Sequence, residues 1–162
     1  MDIKELGPIG AELTDIDLKS LSNEDVARIK IYFLDHSVIV FKNQNLNPQD
    51  LKNISKLWGE ALVHPVFKGI EGHPEIIEIK NLGEKYHTNA HWHSDVTFEE
   101  CPPDATLLYS LEVPEKGGDT LFSCQYLAYD ELDRDLKSLL SEKLAIHSNT
   151  VSYTHLTLPT KA

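Results

Sequence analysis

The sequence predicts a mainly β protein of the α+β class, with short strands through the middle of the chain and helices flanking them. Three observations carry this expectation. Short runs rich in Val, Ile, Leu and Thr recur between residues 37 and 122. Pro and Gly interrupt those runs at turn-like positions. Helical periodicity is confined to stretches before residue 60 and after residue 124, so alternating βαβ units are not expected.

The elements follow in order. "LSNEDVARIKIYFLDH" predicts a helix, with Ser22 as N-cap, acids in its first turn, and Val26, Ile29 and Phe33 at helical spacing. "SVIVFKN" (37–43) is a β-branched apolar run and predicts a buried strand. "NPQDLKNISKLWGE" predicts a second helix, capped by Asn47, opened by Pro48 and stopped near Gly59. "EIIEIKN" (75–81) reads as a strand, and the polar "LGEKYHTNA" (82–90) as a loop. Strands are then expected over 91–98, 105–113 and just after the "PEKGG" turn. "CQYLAYDELDRDLKSLLSEKL" predicts one or two amphipathic helices.

Length and composition fit one soluble domain: 162 residues, 41% hydrophobic and 25% charged. A net charge of −11 argues against a nucleic-acid or acidic-membrane surface, although a pocket can differ in sign from the whole. No apolar run approaches the roughly 20 residues needed to cross a bilayer. "MDIKELGPIG" has no apolar segment of the secretory kind. Two cysteines, Cys101 and Cys124, make no disulfide framework, which points to a reducing cytoplasm. The only arginines, Arg28 and Arg134, lie in charge-rich helical sequence, and neither reads as a clamp for a dicarboxylate.

The last residues differ in character. "VSYTHLTLPT" can be read codon by codon from a transposon-end adapter used in preparing sequencing libraries. On that reading residues 1–150 are one domain and 151–162 a non-native tail.

"HWHSDVTF" (91–98) carries the chemistry. On a strand, His91, His93 and Asp95 share one face. Neighbours on that face are about 7 Å apart but the ends of the trio about 13 Å, too far for easy ligation of one ion. One adjacent pair, His93 with Asp95 or His91 with His93, plus a remote residue is the easier site. Two histidines and a carboxylate make the facial set of a non-haem iron centre. The H-x-H-x-D spacing also occurs in zinc hydrolases, but these continue with histidine where Val96 stands here.

"HWHSDVTFEECPPDATLLYSLEVPEKGGDTLF" closely resembles the core of the TauD/TfdA family of iron(II)- and 2-oxoglutarate-dependent dioxygenases, most of all its taurine dioxygenase branch. "LGPIGAEL", "IVFKNQNLNPQ" and "WGEALVHPVF" resemble the same family's opening, so the likeness runs from about residue 5 to about 148. It implies the N-terminal part of a double-stranded β-helix, or jelly roll. It further implies iron held by His93, Asp95 and a distal histidine, with His91 a non-ligand neighbour. Thr120 would hydrogen-bond a carboxylate of 2-oxoglutarate, and O2 would be the oxidant. His64 and Asn89 would contact a small anionic substrate, taurine or another sulfonate, with an alkyl sulfate or a carboxylate as alternatives. Phe67 stands where taurine dioxygenases carry a tyrosine, and a missing hydroxyl weighs against taurine itself. The full-length protein is expected to be a homo-oligomer.

The family's distal histidine and its 2-oxoglutarate-binding arginine have no counterpart in these residues. A truncated, inactive chain is therefore expected, with a non-catalytic metal-binding pseudoenzyme as the alternative.

Overall fold

The computed structural model describes residues 1–80 and 92–148. Its sheet has three strands in the order β1 (Asp2–Glu5), β2 (Ala11–Thr14), β3 (Ile39–Phe41). β1 pairs antiparallel with β2, Asp2 opposite Thr14, and β2 pairs parallel with β3, Ala11 opposite Ile39. Parallel neighbours need a crossover, and α1 (Asn23–His36) supplies it. A βαβ unit therefore opens the chain, where the sequence pattern led us to expect none. The strands at 2–5 and 11–14 escaped the sequence reading because each is short and largely polar. Only the alternation of "AELT" marks β2, with Ala11 and Leu13 buried and Glu12 and Thr14 less so.

The two N-terminal helices start where their caps dictate. Ser22 Oγ accepts from Asp25 N–H at 3.1 Å, and the Asp25 carboxylate accepts from Ser22 N–H at 3.1 Å. α2 (Pro48–Ser55) repeats the reciprocal box with Asn47 and Asp50. Its helical bonds tighten into i→i−3 turns at Leu57 and Trp58, which ends it earlier than the expected stop near Gly59. β3 is likewise shorter than the expected 37–43, because Ser37 (φ 63°) and Asn43 (φ 56°) are left-handed and bound it on either side. At the C-terminal end, "CQYLAYDELDRDLKSLLSEKL" forms two short helices, α3 (Gln125–Asp130) and α4 (Arg134–Ser141).

The core is small: Leu13 of β2, Leu18, Ile29 of α1 and Ile54 of α2, with Phe41, Leu57, Trp58 and Leu107 packed around them. Trp58 meets Phe33 edge-on at 5.8 Å. Lys52 of α2 lies 2.9 Å from the Glu75 carboxylate, whose side chain is 6% exposed. That lysine, followed by a backbone N–H, holds the Glu75 carboxyl below the ordinary carboxylate range.

The strands expected at 75–81, 91–98, 105–113 and after the glycine turn form no ladder among the described residues. Yet 105–110 keeps a strand's alternation: Ala105, Leu107 and Tyr109 are half-buried, whereas Thr106, Leu108 and Ser110 are exposed. Tyr109 Oη fixes this segment to the N-terminal unit, accepting from Leu46 N–H at 3.1 Å and donating to the Gln44 carbonyl at 3.2 Å. Sidedness came from the apolar pattern, but a strand also needs a neighbour to share hydrogen bonds.

Candidate metal centre

His93 and Asp95 lie where an irregular stretch (92–94) runs into a turn at 95–98, not on a continuous strand. Val96 causes the difference. Its φ of 52° puts a β-branched residue in the left-handed region and reverses the chain, and Glu99 N–H closes the turn on the Val96 carbonyl at 3.1 Å. The two side chains still converge, with His93 Nε2 3.4 Å from Asp95 Oδ1. Both are about half exposed, so a ligand can reach them. The second carboxylate oxygen, Oδ2, accepts a 2.8 Å hydrogen bond from the Thr106 hydroxyl. Because Leu107 and Tyr109 face the core, Thr106 on the opposite side of that segment faces Asp95.

The donor set suits a divalent metal. Two ligands at about 2.1 Å from one ion and at right angles stand about 3 Å apart. The 3.4 Å between Nε2 and Oδ1 is close to that spacing. Thr106 holds one carboxylate oxygen, an arrangement that would suit the other to an ion, as outer-shell partners of metal ligands do. Among the described residues no group of three or more His, Cys, Asp or Glu side chains could hold a metal. His91 and Asn89 lie outside the described residues.

The substrate-side candidates form a second group. His64 Nδ1 accepts from both Val66 N–H and Phe67 N–H at 3.1 Å. An acceptor Nδ1 fixes the neutral ring as the Nε2–H tautomer, so Nε2 is a donor. The Phe67 ring packs against the imidazole at 4.8 Å between centroids. Thr120 belongs to neither group. It is exposed and makes no side-chain hydrogen bond among the described residues, and it follows two left-handed glycines, Gly117 (φ 75°) and Gly118 (φ 72°). Sequence reasoning missed Thr106, although the alternation of 105–110 put it opposite the core-facing residues.

The family described as "Taurine catabolism dioxygenase TauD, TfdA family" matches residues 2–161. The chain belongs to the TauD/TfdA family. Within it, the α-ketoglutarate-dependent sulfate ester dioxygenase of Pseudomonas putida is 34% identical over 153 residues, 93% of this chain and 50% of that protein. The alkylsulfatase of Acinetobacter baylyi is also 34% identical, over 152 residues, 93% of this chain and 47% of that protein. The crystal structure of a taurine dioxygenase from Burkholderia xenovorans matches with a TM-score of 0.74 at 35% identity, over 85% of this chain and 50% of that one. The expected class, α+β with a jelly-roll core, is the fold of such TauD/TfdA structures. The chain spans about half the length of the curated relatives it matches. No described helix is long and apolar enough to cross a membrane.

Proposed function

We propose that the protein is an iron(II)- and 2-oxoglutarate-dependent dioxygenase acting on a small organosulfur anion, a sulfate ester or a sulfonate. The observation that carries this reading is the converged His93–Asp95 pair, 3.4 Å apart, with the carboxylate held by Thr106, in a chain of the TauD/TfdA family. When bound, iron(II) with 2-oxoglutarate and O2 supplies oxidation of a C–H bond, the oxoacid leaving as succinate and CO2.

The chain's own residues would bind and orient. His93 and Asp95 would hold the metal, the third ligand being the family's distal histidine, which has no counterpart in these residues. Thr120 donates a hydrogen bond to a 2-oxoglutarate carboxylate. His64 Nε2–H, set by the two backbone donors on Nδ1, points one hydrogen bond at a sulfo oxygen, and the Asn89 amide adds another. Phe67 gives an apolar wall, which suits an alkyl chain better than the amino group of taurine. Hydroxylation of the carbon beside the sulfo group leaves a product that breaks down to an aldehyde, with sulfite or sulfate as leaving group. A cytoplasmic setting agrees with free Cys101 and Cys124. We also take residues 1–150 as dioxygenase sequence and 151–162 as foreign to it; sequencing reads across codon 150 test that division.

The test is succinate release by the protein translated from the gene's full reading frame, with iron(II), over a panel of alkyl sulfates, alkanesulfonates, taurine and aryloxy carboxylates. Turnover of a sulfate ester or sulfonate, abolished by His93→Ala, is the expected result. Metal binding without turnover of any member would support the non-catalytic reading, and zinc-dependent hydrolysis without 2-oxoglutarate would overturn both. The 162-residue chain by itself is expected to show no turnover.

A further inference from the structure

The turn that carries Asp95 is held from two sides. Thr106, eleven residues on, bonds the carboxylate itself. On the other side the Thr97 hydroxyl lies 2.9 Å from Nδ1 of His147, fifty residues further along the chain. Between the two anchors sits Val96 at φ 52°. A β-branched residue there costs conformational free energy, and such a conformation persists only where its surroundings over-determine it. The closing bond from Glu99 N–H to Val96 is local and does not fix the turn against the rest of the molecule. Thr97 is half-buried, and its partner lies just beyond α4, so the contact ties the turn to a separate part of the chain.

We propose that His147 is a positioning residue for the metal centre: through the Thr97 hydroxyl it fixes the left-handed turn that aims Asp95 at His93. The role rests on the reading of His93 and Asp95 as ligands. His147 acts through Thr97 and is not itself a ligand of the ion. One partner of the Thr97–His147 pair donates and the other accepts, so an amide side chain can replace the imidazole and an aromatic ring cannot.

The experiment titrates the full 162-residue chain with Co(II), standing in for iron(II), and records amide spectra of residues 95–98. His147→Phe and Thr97→Val should each weaken Co(II) binding about 3- to 10-fold, the weight of one polar contact. The double variant should be no weaker than either single one, because both remove the same contact. His147→Gln should recover most of the affinity, and the thermal midpoint should stay put in all of them. Losses that simply add, an unchanged affinity, or His147→Gln no better than His147→Phe would overturn the role. Co(II) uptake that ignores His93→Ala would sink the ligand reading instead. In that event the amides decide the contact: shifts at 95–98 in both single variants uphold it, and their absence overturns it.

Discussion

Ile29→Ala is the sharpest probe of the small core. Ile29 is completely buried in α1, against Leu13, Leu18 and Ile54. Truncation removes Cγ1, Cγ2 and Cδ1, and at about 0.8 kcal/mol for each carbon the lost transfer free energy is about 2.5 kcal/mol. The cavity adds up to about 2 kcal/mol at roughly 24 cal/mol per Å³. Alanine's better helix propensity returns about 0.5 kcal/mol. The expected cost is therefore about 2–4 kcal/mol, a large share of the 5–15 kcal/mol typical of a folded domain. Leu34, on the same helix but 79% exposed, is the control, and Leu34→Ala should cost less than about 0.5 kcal/mol. Urea unfolding followed by far-ultraviolet circular dichroism measures both. A cost below about 1 kcal/mol for Ile29→Ala, or equal costs at the two positions, would refute this placement of the core.

Three further outcomes are expected. The Glu75 carboxyl, lowered chiefly by its Lys52 partner, contributes stability that is complete above its unfolded-state pKa and lost as pH falls through the lower folded-state value. Glu75→Gln should accordingly flatten that acid limb of a stability–pH profile, and an unchanged limb would contradict it. Thr106→Val removes the bond to Asp95 Oδ2 and should weaken Co(II) binding about tenfold in a calorimetric titration, with the fold retained. Phe67→Tyr adds a hydroxyl beside His64, and on the proposed function it should raise kcat/KM for taurine relative to an alkyl sulfate about fivefold in succinate-release assays.

What the sequence made legible was local chemistry. Ser22 and Asn47 announced both helix starts, since a cap and its partner three residues on are adjacent in sequence. Spacing left two candidate pairs, His93 with Asp95 or His91 with His93, and the family resemblance chose the first; the side chains of His93 and Asp95 lie 3.4 Å apart. The ladders were not readable, because pairing depends on residues far along the chain. The parallel contact of Ala11 with Ile39 joins two short segments across a helix, and "AELT" by itself is too brief to claim a strand. The segments at 75–80 and 105–110 illustrate the reverse case. The apolar pattern predicted strands over 75–81 and 105–113, and 105–110 does turn one side inward, yet neither finds a ladder partner among the described residues. Val96 was hidden for a different reason: a valine gives no local signal for a left-handed turn, so "HWHSDVTF" read as continuous strand. Thr106 and His147 were missed since each meets the turn only through the tertiary fold.

The proposed role of His93 and Asp95 is to hold one divalent metal ion together. Calorimetric titration of the purified chain with Co(II), beside His93→Ala and Asp95→Ala, tests it directly. One ion per wild-type chain and at least about a tenfold loss of affinity in each variant are expected. Co(II) bound equally well by all three proteins would contradict it.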